Sequence, residues 1–178
     1  MTTNKVVVLR CGHRPIRDQR VTSHCCLVAR ALGAERVLIE GEPDSELVRS
    51  MEGVNNAWGQ GPVPEFVPHW RPALKELQAK GHKVVHLTMY GLPLGKEIPR
   101  IRKHPKLCVV IGSQKVEREV YEAADYNVAV GSTPHSEIAA LAIFLHELFQ
   151  GKELERPFDR ARLAIEPSAH GKAVKRLR

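Results

Sequence analysis

The 178-residue chain has no run of 18 or more apolar residues, which excludes a membrane-spanning helix of ordinary length. Its first residues, MTTNKVVVLR, pass straight into a strand-like run. They lack the apolar region and small-residue cleavage site of a secretory leader, so a cytoplasmic location is expected. There are four cysteines, Cys11, Cys25, Cys26 and Cys108, with no C-x-x-C spacing and no matching histidine pair. Zinc and a disulfide framework are therefore unsupported, no metal is expected, and buried free thiols are the natural reading. Neither G-x-G-x-x-G nor G-x-x-x-x-G-K-[ST] occurs, which removes the main support for ordinary dinucleotide and P-loop sites. Without a G-x-S-x-G elbow or a base partner, Ser136 is no serine-hydrolase nucleophile. Internal repeats are also missing.

Hydrophobic residues make up 43% of the chain and charged residues 26%, the balance of a globular protein. A single domain over 1–178 fits this length, with about 152–178 as a C-terminal extension. Acidic residues are in deficit, 20 against 27 Lys and Arg, and the sequence pI is near 9.4. A partner rich in phosphate would suit that charge.

Short β-branched runs alternate with helical patterns. Lys5 to Leu9, Arg36 to Ile39, Lys83 to Leu87, Leu107 to Ile111 and Asn127 to Val130 read as strands. Ser23 to Leu32, Glu46 to Met51, Trp70 to Ala79, Glu117 to Ala123 and Ser136 to Phe149 read as helices, with Gly33, Gly81 and Gly151 as stop signals after three of them. Low strand polarity implies a mostly parallel sheet covered on both faces, an α/β fold. Gly53 to Pro68 reads as a surface loop, and a strand-like Ala161 to Ile165 precedes the basic end GKAVKRLR, a kind of terminus that is commonly solvated.

Four segments carry polar chemistry or glycine turns. GHRPIRDQRVTSH places Arg14, Arg17, Asp18 and Arg20 in the loop leaving the first strand, the functional edge of a parallel sheet. There they form either an anion clamp or a surface ion-pair knot around Asp18. HLTMYG and VVIGSQKV each put glycine directly after buried β-structure, where backbone can approach a planar or ribose-bearing ligand. GSTPHSEIAALAIFLHELF offers Thr133 as N-cap and Pro134 as first helical residue, with free N–H groups that favour an anion. His135 and Glu137 there are either acid–base groups or capping groups. The helix that follows is apolar on more than one side: Ile138, Leu141, Leu145 and Leu148 form one stripe, and Ala139, Ala140, Ala142, Ile143 and Phe149 spread around the other. One face for the sheet and another for a second copy of the chain would account for this.

VVVLRCGHRPIRDQRVTSHCCLVARALGA, KVVHLTMYG and VVIGSQKVEREVYEAADYNVAVG running into STPHSEIAALAIFLHEL together resemble the archaeal tRNA cytidine-56 2'-O-methyltransferases, a branch of the SPOUT superfamily. The resemblance covers most of the chain. It implies a SPOUT-type, Rossmann-like, mostly parallel sheet with a C-terminal trefoil knot, and a homodimer through the knot region and the Ser136 to Phe149 helix. It implies S-adenosyl-L-methionine as methyl donor and tRNA as partner. Carried over by position, the donor pocket comprises Leu87, then Gly112, Ser113, Gln114, Lys115 and Val116, then Val130, Gly131, Ser132, Thr133, Pro134, His135, Ser136 and Glu137. Arg20 takes the role of catalytic arginine, with Arg14 the alternative, and Arg14 and Arg17 join Arg20 on tRNA phosphate. Two rivals stand beside this reading: a non-catalytic SPOUT-like RNA-binding protein, and an α/β enzyme acting on a small nucleotide.

Overall fold

The computed structural model describes residues 4–112 and 116–177. Eight strands, β1 (Lys5–His13), β2 (Arg36–Gly41), β3 (Pro64–Val67), β4 (Lys83–Pro93), β5 (Lys106–Gly112), β6 (Tyr126–Ala129), β7 (Leu163–Glu166) and β8 (Ala173–Arg176), are accompanied by six helices, α1 (Pro15–Ala31), α2 (Ser45–Trp58), α3 (Trp70–Ala79), α4 (Leu94–Ile101), α5 (Arg118–Ala123) and α6 (Glu137–Phe149). The first six strands form one parallel sheet in the order β3-β2-β1-β5-β4-β6. Beyond it, β7 and β8 pair antiparallel as a hairpin, so part of the basic end is strand.

Burial on both faces explains the near-continuous apolar runs of the central strands. In β5, Leu107 through Ile111 are all buried. One face packs Val6, Val8, Val109 and Ile111 against Cys25, Cys26, Leu141 and Leu145, and the other packs Val7, Leu9 and Val110 against Trp70, Leu74 and Val120. Each such side chain contributes on the order of 1.5–3 kcal/mol by leaving water. All four cysteines are free and buried. Burial pushes the thiols of Cys26 and Cys108 up to about 12 and that of Cys25 up to about 11. They are therefore poor nucleophiles.

β3 and α4, like β8, escaped the sequence reading. β3, inside the segment expected to be loop, begins with a proline, which a sheet edge tolerates because no partner there needs its N–H. In α4, Pro99 sits within an eight-residue helix and masks the helical pattern. A further difference affects the arginine cluster. α1 begins at Pro15 rather than near Ser23, so Arg17, Asp18 and Arg20 are helical and Arg14 is the N-cap residue. Proline suits that first position, and Asp18 accepts hydrogen bonds from the Arg14 backbone N–H and from Nε of Arg14, at 3.2 and 3.0 Å.

Strand β4 has an irregular path with consequences for the site. Leu87 and Leu92 both pair with Val128 of β6, so residues 88–91 arch out between two bridges to a single residue. At Gly91 a Cβ would stand 2.5 Å from the backbone of Asn127 and Val128. Only glycine lets the arch return so close to β6.

Candidate active site

At the carboxyl ends of the strands lie two neighbouring cavities, of about 790 and 240 Å³, which share Gly112 and Val116. The order of the sheet reverses between β1 and β5, and ligands of open α/β sheets bind in the crevice beyond such a switch point. The larger cavity falls within the size range of small-molecule sites.

Seven of the residues expected in the donor pocket line it: Leu87, Gly112, Val116, Val130, Pro134, His135 and Glu137. They come from three separated segments: within β4, at and after the end of β5, and following β6. Ser113, Gln114 and Lys115 lie outside the described residues. Gly131, Ser132, Thr133 and Ser136 are exposed in the loop before α6 and do not line the cavity. The helix opening also differs from expectation. Ser136, not Thr133, is the N-cap, accepting from the Ile138 N–H at 3.2 Å, and Glu137, not Pro134, is the first helical residue. An acid in the first turn suits the helix dipole, and the partner of Glu137 fixes the helix at this point.

That partner is Arg10 on β1, whose Nη2 lies 3.5 Å from Oε1 of Glu137. Arg10 is 1% exposed, and its Nε and Nη1 have no hydrogen-bond partner among the described residues. A buried cation thus depends on one carboxylate at the cavity wall. For His135 and Glu137 the sequence left open a choice between acid–base and structural roles, and this ion pair gives Glu137 a structural one.

The sequence reading missed His86, Thr88, Met89, Tyr90, Arg118, Tyr121 and Ala140. Four of them belong to HLTMYG, so the motif was noted but only its leucine was assigned. Arg118 and Tyr121 sit on the six-residue α5, too short to show a period. Together they build a fixed wall. Tyr121 and Thr88 share a 3.0 Å hydroxyl hydrogen bond, His86 Nδ1 lies 2.9 Å from Asn127 Oδ1, and the His86 and Tyr121 rings meet edge-on at 4.6 Å.

The arginines divide. Arg14 lines the smaller cavity with His13, Glu40, Trp70 and Glu117. Arg17 and Arg20 line neither cavity; both are exposed on α1 without an ion-pair partner among the described residues. Within the arginine cluster, the ion pair joins Arg14 to Asp18. Burial works to raise the Asp18 carboxyl, but its hydrogen bond to Arg14 and the charges of Arg14 and Arg10 bring it below its ordinary value. Glu40 ties the Gly12 loop to α3, accepting from the N–H groups of Gly12 and Trp70 at 3.2 and 3.0 Å. His13 is held by Thr22 at 2.8 Å, and its Nε2 is 3.7 Å from Asp44.

Among solved structures, a SpoU methyltransferase, AviRb, from Streptomyces viridochromogenes, in complex with the cofactor AdoMet, superposes with TM-score 0.63 at 18% identity. The match covers 86% of this chain and 60% of AviRb, so the chain spans less than two thirds of that protein. The A. aeolicus TrmH/SpoU tRNA modifying enzyme matches with TM-score 0.64 at 14% identity, covering 87% and 81%. The fold is therefore that of the SpoU-type methyltransferases within the SPOUT class.

The family follows from sequence. The model of the tRNA ribose 2'-O-methyltransferase family, aTrm56, matches residues 58–175, and the chain belongs to that family. Relatives named tRNA (cytidine(56)-2'-O)-methyltransferase include one from Methanopyrus kandleri, 50% identical over 173 residues, and one from Thermococcus kodakarensis, 50% identical over 177 residues. Each match covers 97% of both chains.

Proposed function

We infer that this chain transfers a methyl group from S-adenosyl-L-methionine to the ribose 2'-oxygen of cytidine 56 in the T-loop of tRNA. Near-full-length identity to enzymes of that name carries the reading. The cavity is consistent with it: residues of β4, the end of β5 and the segment after β6 border a space large enough for a nucleoside-sized donor. When bound, the donor supplies an activated methyl group on a sulfonium sulfur. The chain's own part is alignment. In this reading Leu87, Gly112, Val116, Val130, Pro134, His135 and Glu137, which line the cavity, hold the donor, and Ser113, Gln114 and Lys115, outside the described residues, are assigned to it by the family resemblance alone. The arch at 88–91 beside β6 suits the trefoil knot that the family resemblance implies.

Arg20 orients the attacking hydroxyl and a neighbouring phosphate. Guanidinium is too basic to be a proton acceptor at neutral pH. Because Arg20 lines neither cavity of its own chain, it reaches the donor from a second copy in this reading. The outer face of α6 suits such a homodimer: Ala139 is exposed and Ile143 is 49% exposed, while Leu141, Phe144, Leu145 and Leu148 face the core.

Mass mapping of a tRNA transcript incubated with donor tests the function. One added methyl on the ribose of cytidine 56 is expected, and none there overturns the reading. A change of Gly112 to Trp fills the cradle, so calorimetry should find no donor binding to an otherwise folded protein; full affinity would disprove the placement. Salt separates the small-nucleotide rival. Affinity for tRNA should fall steeply between 50 and 200 mM salt, by about 10³-fold if some six phosphates are contacted, while donor affinity barely moves. A tRNA affinity indifferent to salt would favour the rival.

A further inference from the structure

His86 is a 1%-exposed imidazole at the wall of the larger cavity, in the strand that also supplies Leu87. Its neighbours fix its tautomer. Asn127 donates from Nδ2 to the Tyr121 carbonyl at 2.9 Å, which leaves Oδ1 to face His86 as an acceptor. An acceptor there requires a hydrogen on Nδ1 of His86. The other ring nitrogen, Nε2, then carries a bare lone pair, and no partner for it exists among the described residues. The ring packs perpendicular to that of Tyr121, itself tied to Thr88, which restricts its rotation.

Around the ring stand Val110 on β5, Asn127 on β6 and Tyr121 on α5, none of them charged, while the ionisable groups lining the same cavity are Arg118, His135 and Glu137. Burial lowers the His86 pKa below the ordinary imidazole value, and the hydrogen bond to Asn127 only partly offsets this. The ring is neutral at neutral pH.

We propose that His86, locked by Asn127 with Nδ1 protonated, is a donor-binding residue whose Nε2 accepts a hydrogen bond from the adenosyl part of the methyl donor. The assignment rests on the donor site proposed above. An adenosyl group offers ribose hydroxyls and an amine, and a rigid neutral acceptor inside a protein wall selects for such donors while excluding competing water. Asn127 acts through His86 and is a positioning residue.

Calorimetric titration with S-adenosylmethionine and S-adenosylhomocysteine tests this, because the two share the adenosyl group and differ in sulfur charge. His86→Phe should weaken both by about tenfold or more. His86→Gln, which keeps an acceptor, should restore most of the affinity for both. In wild type, affinity should be flat above pH 7 and fall as pH drops through the lowered His86 pKa, because a protonated ring no longer accepts. Subtracting the profile of His86→Gln removes any part due to His135. Ring ¹⁵N spectra should show Nδ1 protonated, Nε2 shifting on binding, and a tautomer mixture in Asn127→Leu. Unchanged affinity in folded His86→Phe overturns the role of His86 alone. A loss confined to S-adenosylmethionine overturns the adenosyl contact, and a wild type that binds neither compound overturns the donor site itself.

Discussion

Replacing Arg20 by alanine is expected to lower methyl transfer to tRNA by about 10²-fold or more, the effect of removing one positioned donor from a reaction centre. The fold should be untouched, because Arg20 is exposed on α1 and forms no ion pair among the described residues. Donor affinity should also be unchanged, since the side chain lines neither cavity. Radiolabelled methyl incorporation, calorimetry and circular dichroism separate these three readouts, and wild-type turnover would refute the role. A mixing experiment reports where Arg20 acts. Arg20→Ala and Gly112→Trp chains are each expected to turn over at most at about a per cent of wild type alone, the 10²-fold loss above. If each site combines Arg20 of one copy with the cradle of another, mixed dimers contain one intact site, and a re-equilibrated equal mixture should recover about a quarter of wild-type activity. No recovery would place both groups in one chain.

Glu137→Ala should cost about 3 kcal/mol of stability, because it strands the Arg10 guanidinium in the core. Urea unfolding should show a lower midpoint with a similar slope. Arg10→Met combined with Glu137→Ala should recover most of the loss, because the penalty belongs to the unpaired charge rather than to the missing contact. A single variant as stable as wild type would mean that another carboxylate balances Arg10, Asp18 being one whose charge interacts with it.

The parallel sheet was legible because its strands are buried on both faces and therefore read as apolar runs, as in Leu107 to Ile111. Helix α3 was read to its ends, with Gly81 beyond it in a left-handed conformation that stops the helix. The start of α1 was not legible. Pro15 opens it, and a cluster of arginines looks like loop until Asp18 is seen to hold Arg14. In α6 the motif T-P carried the expected opening signal, yet Ser136 caps the helix because the ion pair of Glu137 with Arg10 spans 127 positions of sequence. At Leu87, Gly112 and Val130 the cavity lining was expected through the family resemblance, carried over by position. It was missed where a short helix supplies side chains, at Arg118 and Tyr121. No local pattern reports which strand neighbours a given helix, so His86 and Asn127 meet only in three dimensions.

The arch of β4 also sets a timetable for biosynthesis. Leu87 and Leu92 wait for one filler, Val128, which leaves the ribosome roughly two to eight seconds after Leu87 at about 5–20 residues per second. Until then the nascent chain lacks the strand against which this hoop closes. The wall of the larger cavity is therefore among the last parts of the sheet to be completed.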